Sequence, residues 1–194
     1  GVEKDDNVAF LVERSELYLF SILGILSAGA AYVPLDDALP DERIKFMIDD
    51  TDSKVIIVDD ETYNRAENLK EEIKLLNISN IIEEDTGTSS NLDAVYGNLA
   101  CILYTSGTTG IPKGVKVTKK SIVNLVTVYQ DKYALSSDDV YGLFSTIGFD
   151  AALLAIAAVL YSGACLSVVP EYIRLDIKAL NDKSEKDEMI IKEL

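Results

Sequence analysis

Between Leu99 and Lys120 the chain reads L-A-C-I-L-Y-T-S-G-T-T-G-I-P-K-G-V-K-V-T-K-K, and this stretch holds the residues best suited to chemistry. Leu99 to Tyr104 is a short apolar run with the length and composition of a buried strand. It opens abruptly into Thr105, Ser106, Gly107, Thr108, Thr109 and Gly110, then Ile111, Pro112, Lys113 and Gly114. Gly107 and Gly110 permit positive φ and let backbone N–H groups approach an anion closely. The hydroxyls of Thr105, Ser106, Thr108 and Thr109 add donors without adding charge, and Lys113 supplies a point charge. That inventory suits a polyphosphate.

Charge is distributed in the same sense. The formal net charge is −15, yet no Asp or Glu occurs between Asp93 and Asp131, and Lys113, Lys116, Lys119 and Lys120 all lie inside that window. A positive island in an acidic chain is where an anionic ligand would be held. A flexible turn with lysines on a solvated face has the same composition, and residue types alone leave both readings open. The Walker A pattern is excluded: it needs Gly before the lysine and Ser or Thr after it, whereas Pro112 precedes Lys113 and Gly114 follows. A helix cannot open there as it does in that motif. The Rossmann glycine pattern is absent too.

With 194 residues, 48% of them apolar, the chain is long enough for one domain with a sizeable core or for two small lobes. Its acidity argues against nucleic acid as a partner, because phosphate backbones need Lys and Arg over a broad face. There is no His, which removes the commonest general base and metal ligand, and no metal-like spacing is found. Cys101 and Cys165 sit in apolar runs far apart, which predicts two buried thiols in a reducing compartment, the cytoplasm. The opening G-V-E-K-D-D-N is not a signal peptide. Two apolar stretches, 17–35 and 151–169, approach the length of a membrane span. Each is broken by a small-residue turn and ends at a proline, so a helix followed by a buried strand is expected, and no span.

The elements that must position the loop can be read in order. Val8–Val12 is expected as a strand, followed by a helix from a Ser15 cap to about Leu26 that Gly29 ends. Ala31–Val33 reads as a strand stopping at Pro34, Asp41 as the cap of a helix to Ile48, and Lys54–Val58 as a buried strand. Thr62–Leu76 has the thin apolar stripe of a solvated helix, and Ile81–Ile82 reads as a further strand. Glu83–Asp93 is acidic and rich in Ser, Thr and Gly, hence a loop or internal boundary. Beyond the loop, strands are expected at Val115–Thr118, Tyr141–Phe144 and Ala164–Val169, and helices at Lys119–Tyr133, Ala151–Leu160 and Ile173–Leu180. This alternation predicts an α/β fold, mostly parallel sheets with helices on both faces. Leu26–Pro34 echoes Leu160–Pro170, which fits either coincidence among α/β units or two related lobes.

The stretch Y-T-S-G-T-T-G-I-P-K-G-V resembles the signature loop of the adenylate-forming superfamily: acyl-CoA synthetases, luciferases and the adenylation domains of nonribosomal peptide synthetases. V-A-F-L-V-E-R-S, L-S-A-G-A-A-Y-V-P-L-D, P-D-E-R-I, S-T-I-G-F-D-A-A and V-V-P-E-Y-I-R-L-D extend the similarity to the peptide-synthetase adenylation domains specifically, from about Val2 to Asp182. The resemblance implies ATP- and Mg2+-dependent conversion of an amino acid to aminoacyl-adenylate and pyrophosphate. It also implies transfer to the phosphopantetheine of a peptidyl carrier domain. Thr105, Ser106, Gly107, Thr108, Thr109, Gly110 and Lys113 are then implied to hold the phosphates, and Asp150 of the F-D motif to pair with the substrate's α-ammonium. From its position alone, ahead of A-A-L-L-A-I-A-A, Asp150 also reads as a helix N-cap.

Departures from the family pattern stand at Ala152, Leu154 and Ala155, where a Ser and an aromatic–Glu pair are usual, and at Lys119–Lys120, where a His is frequent. The family's later motifs and its C-terminal lobe are not found, and no main catalytic group is identified. The expectation is therefore a partial N-terminal lobe over 1–182, with possible sub-lobes 1–93 and 94–182 and a charged tail over 183–194. Alone it would be inactive or nearly so, and prone to self-association through uncovered apolar faces. Two other readings stay open: an acyl-CoA synthetase or D-alanine–carrier ligase, and a non-enzymatic degenerate lobe.

Overall fold

The computed structural model describes residues 2–69, 73–82, 98–106, 111–174, 176–186 and 189–190. The chain divides into two compact units, Gly1–Glu13 with Leu17–Lys119, and Arg14–Glu16 with Lys120–Leu194.

In the first unit the elements are β1 (Asn7–Leu11), α1 (Leu17–Ser27), β2 (Ala31–Pro34), α2 (Asp41–Asp50), β3 (Val55–Val58), α3 (Asp60–Glu67), β4 (Lys74–Asn77), α4 (Ile78–Ile82), β5 (Leu99–Thr105) and β6 (Lys113–Thr118). The strands form one sheet in the order β4-β3-β1-β2-β5-β6, parallel throughout except for β6, which runs antiparallel to β5 at the edge. Val8 to Val12 are all buried, the unbroken apolar run expected of a central strand covered on both faces. On one face Ala9, Leu11, Val33, Ile56, Val58 and Ile102 pack with Ile44, Met47 and Ile48 of α2 and Ala66 of α3. On the other, Phe10 lies against Tyr18 of α1 and against Tyr32, with ring centroids 6.0 and 6.2 Å apart. Asp59 ends β3 and caps α3: its carboxylate accepts from Thr62 N at 2.9 Å and from Glu13 N at 2.6 Å.

The second unit is built on α5 (Lys119–Tyr133), β7 (Val140–Leu143), α6 (Asp150–Ser162), β8 (Cys165–Val168), α7 (Glu171–Arg174), α8 (Ile177–Lys186) and β9 (Met189–Ile190). Its strands are parallel in the order β8-β7-β9. Seven residues of α6 are buried, and α5 is fastened to β7 by a 3.0 Å hydrogen bond between the hydroxyls of Tyr129 and Tyr141. The internal echo is a shared β-α-β connection. α1 passes into β2 through Gly29 at φ 80°, and α6 into β8 through Gly163 at φ 74°. Both glycines take the left-handed conformation that ends a helix without a Cβ clash.

Several expectations are corrected. α1 begins at Leu17, two residues after Ser15, and ends at Ser27 against the expected Leu26. The cap of α2 is Pro40 and not Asp41; Asp41 is the first helical residue, and its carboxylate meets Arg65 at 2.7 Å. The strand β2 includes Pro34, paired with Phe10, since its carbonyl remains available to the ladder. The helix expected over Thr62–Leu76 stops at Glu67, and Lys74–Asn77 instead pairs with Val55–Val58. A short apolar run suits either state, and the free edge of β3 decides it. Ile81–Ile82 belong to a helical turn, which the Asn77 side chain starts by accepting from Ser79 N at 3.0 Å. The last helix expected, Ile173–Leu180, is two helices, α7 and α8. The Glu83–Asp93 loop lies outside the described residues. The stretches 17–35 and 151–169 do fold as helix then strand, and no described helix is long and apolar enough to cross a membrane.

Cys101 is buried as expected, but Cys165 is exposed at the start of its strand. Burial pushes the Cys101 thiol up to about 11, with a hydrogen bond to Tyr32 offsetting part of the rise. Since the thiolate is the nucleophile, a maleimide at neutral pH should label Cys165 quickly and Cys101 only after denaturation. Rapid loss of both thiols from the folded chain, read by intact mass, would contradict this packing. A second test concerns Gly114 on β6. A Cβ there would meet Ile102 Cγ2 at 3.0 Å and Tyr104 Cζ at 3.2 Å. Gly114→Ala should therefore destabilise the chain by about 1 kcal/mol net in urea unfolding, overpacking outweighing the gain in backbone entropy. The cost should shrink in a Tyr104→Ala background, where the obstructing ring is gone.

Candidate phosphate loop and amine subsite

The β5–β6 hairpin presents the first set of site residues. Its register sets Thr105 opposite Lys113, Tyr104 opposite Gly114 and Leu103 opposite Val115. Directly opposed residues of an antiparallel pair lie about 4.5–5.5 Å apart at Cα. Thr105 and Lys113 thus form the two lips of the loop. Thr105, Ser106 and Lys113 are exposed. Gly107, Thr108, Thr109 and Gly110, the centre of the predicted phosphate loop, lie outside the described residues. Lys113 begins a strand, in keeping with the exclusion of a Walker A helix. Lys116 follows on the same exposed edge strand.

Behind the lips stands a rigid stem. The Tyr104 hydroxyl donates to Asp50 Oδ2 at 2.5 Å, and its ring meets Phe46 edge-on at 6.4 Å. Burial, together with the Asp50 carboxylate accepting its proton, holds the Tyr104 phenol well above its usual range. It remains a neutral donor at physiological pH. The ring lies against Gly114 on the facing strand, where an added Cβ would meet Tyr104 Cζ at 3.2 Å. Sequence reading gave Tyr104 and Gly114 no role. A signal was present in the tyrosine and glycine that bracket the Thr105–Lys113 stretch, but only the register shows that they face each other.

Asp150 belongs to the second unit. It is the first residue of α6 and exposed, and its Oδ1 accepts from Ala151 N at 2.9 Å. The expectation that it caps the helix is corrected: the capping position is Phe149, which supplies no side-chain bond, and Asp150 stands one residue further in. A carboxylate in the first turn still meets the positive end of the helix dipole. The chain reaches it from the carboxyl end of β7 through a turn closed by Phe149 N donating to Thr146 O at 3.1 Å. In open α/β sheets, ligands gather outside the carboxyl ends of the strands. Ala152, Leu154 and Ala155, the departures from the family pattern, are all buried in α6. Among the described residues, no cluster of three or more His, Cys, Asp or Glu could hold a metal ion.

A residue that sequence reading missed is Arg14, just past β1. Its guanidinium donates to four backbone carbonyls at the carboxyl ends of β7 and β8, those of Leu143, Phe144, Ser145 and Val169. The partners lie 129 to 155 residues away along the chain, a distance no local pattern spans.

Comparison with known proteins bears on these features. Bacitracin synthase 1 of Bacillus licheniformis is 36% identical over 184 residues, which is 93% of this chain and 3% of that protein. The four-domain nonribosomal peptide synthetase holo-AB3403, solved bound to AMP and glycine, superposes with a TM-score of 0.82 at 29% identity, over 97% of this chain and 14% of its own. The N-terminal subdomain of Klebsiella oxytoca NpsA, solved with 3-hydroxybenzoyl-AMSN, gives 0.79 at 28% identity, over 97% and 46%. The chain therefore spans between 3% and 46% of the length of these proteins. A model of the family described as AMP-binding enzyme matches residues 1–187, nearly the whole chain, and this protein belongs to that family.

Proposed function

We propose that this chain is part of the N-terminal lobe of a ligase that activates an amino acid as aminoacyl-adenylate. The β5–β6 hairpin carries the reading, because it sets Thr105 opposite Lys113 at the mouth of a loop with the family's pattern. In this reading Thr105, Ser106, Gly107, Thr108, Thr109, Gly110 and Lys113 hold the β- and γ-phosphates of ATP. The nucleotide enters as its magnesium complex, in which phosphate oxygens and water supply most of the ligands. A carboxylate oxygen of the amino acid attacks the α-phosphorus. The bond from that phosphorus to the β-bridging oxygen breaks, and pyrophosphate leaves with the electron pair. Loop donors and the Lys113 charge offset the negative charge growing on the leaving group.

Asp150 receives the α-ammonium of the amino acid. A carboxylate built to meet a cation rejects a substrate that lacks one, because binding would then leave the carboxylate desolvated and unpaired. The partner of the second step is the phosphopantetheine thiol of a peptidyl carrier domain, which attacks the acyl carbon and releases AMP. Support for this comes from the similarity to a four-domain nonribosomal peptide synthetase. A cytoplasmic setting goes with ATP as substrate. The apolar residues at 152, 154 and 155 do not favour a non-enzymatic lobe, since burial in α6 accounts for them.

Two variants test the reading in the complete polypeptide encoded by the reading frame. Lys113→Met should raise the dissociation constant for MgATP about tenfold, worth ~1.4 kcal/mol, by calorimetry, with amino-acid affinity unchanged. Unaltered nucleotide binding would remove the loop from the site. Asp150→Asn should raise the amino-acid KM in ATP–pyrophosphate exchange by about tenfold or more and leave the KM for ATP in place. If the wild-type protein accepts the corresponding des-amino carboxylic acid equally well, an acyl-CoA-synthetase-like activity replaces this proposal.

A further inference from the structure

We propose that Arg14 is a positioning residue for the amine subsite: it shapes and holds the turn that presents Asp150. The inference rests on the role given to Asp150 above. Arg14 Nε donates to Val169 O at 2.6 Å, Nη1 to Ser145 O at 2.9 Å, and Nη2 to Leu143 O at 2.5 Å and Phe144 O at 2.9 Å. All of these partners belong to the second unit, as Arg14 itself does. Three of the acceptors are consecutive. In an extended strand, successive carbonyls point to alternate sides, so three in a row can meet one cation only if the backbone bends around it. The guanidinium is the centre of that bend.

Charge-assisted bonds of this kind are about twice as strong as neutral ones. Without the cation, four carbonyl dipoles would converge in a partly buried space stripped of the donor they share. Among the described residues the turn is also closed by Phe149 N donating to Thr146 O at 3.1 Å. Leu143 O also accepts from Val169 N at 3.2 Å, and the Phe144 ring lies 5.5 Å from the Arg174 guanidinium. Thr146 Oγ1 is buried with no hydrogen-bond partner among the described residues, a cost that the surrounding bonds must outweigh. Between the clamped Ser145 carbonyl and Asp150 stand only Thr146, Ile147, Gly148 and Phe149. A shift of the clamp therefore reaches the Asp150 carboxylate with little slack. A lysine cannot substitute fully, because a point charge on a flexible stem lacks the planar fork that reaches separate carbonyls at once.

The test uses the complete polypeptide with Arg14→Ala and Arg14→Lys, in case the first variant folds poorly. Two quantities are read: amide hydrogen exchange over the 145–153 segment, and the KM values for amino acid and ATP in pyrophosphate exchange. Positioning predicts faster exchange in that segment and an amino-acid KM raised about tenfold, with the ATP KM within about twofold of wild type. Arg14→Lys should fall between, and millimolar guanidinium should restore part of the Arg14→Ala loss. Unchanged exchange in the segment, or a parallel change in both KM values without guanidinium rescue, would overturn the proposal. If the wild type shows no amino-acid-dependent exchange of pyrophosphate, the role of Asp150 fails. The hydrogen-exchange and rescue readings then decide separately whether Arg14 holds the turn.

Discussion

The described site depends first on one antiparallel pairing at the edge of an otherwise parallel sheet. A parallel strand would have to be reached by a long crossover, and its start would lie at the opposite end of the sheet from the exit of β5. By turning back directly, β6 brings Lys113 to the strand end where Thr105 emerges. Two of the site's charged and hydroxyl-bearing residues become neighbours for the cost of a short loop. Tyr104, tied to Asp50, lies against Gly114 on the facing strand. An edge strand bearing Lys113 and Lys116 also discourages pairing with other chains.

The second unit solves a related problem differently. Its candidate residue sits at the start of a helix that is mostly buried, so Asp150 inherits a rigid support from α6 and a directed approach from β7. The weak link is the turn between them, where strand pairing has ended and helix bonds have not begun. Such a segment needs side-chain donors for its carbonyls. Arg14 supplies four bonds from a distant part of the chain. In each unit, taken by itself, a polar, solvent-facing group stands on an apolar or hydrogen-bonded stem directly behind it.

Much of this was legible in the residues. The alternation of apolar runs with amphipathic stretches predicted the α/β architecture, and the strand expected at Leu99–Tyr104 followed from its composition, with Thr105 added in the structure. The glycine-ended helices at Gly29 and Gly163 were readable because a left-handed residue there is a local requirement. Where reading failed, a non-local partner had won. Lys74–Asn77 continued a plausible helical stripe until the free edge of β3 claimed it. Asp41 suited a cap, but Arg65 took its carboxylate and Pro40 set the entry to the helix. Cys165 looked buried by its neighbours, yet strand position left it exposed.

What the sequence determined by itself was local chemistry: glycines and hydroxyls in a loop, a lysine-only island in an acidic chain, and an acid ahead of an apolar helix. Residue type, spacing and charge are properties of neighbours in the chain, so they survive without a fold. What only the tertiary structure decided was which of these groups face one another and what holds them. The Thr105–Lys113 register and the Tyr104–Gly114 contact depend on how one hairpin pairs, and the Arg14 clamp joins residues 129 to 155 positions apart. Burial and strand register set such pairings, because they are won in competition among all possible partners of the whole chain.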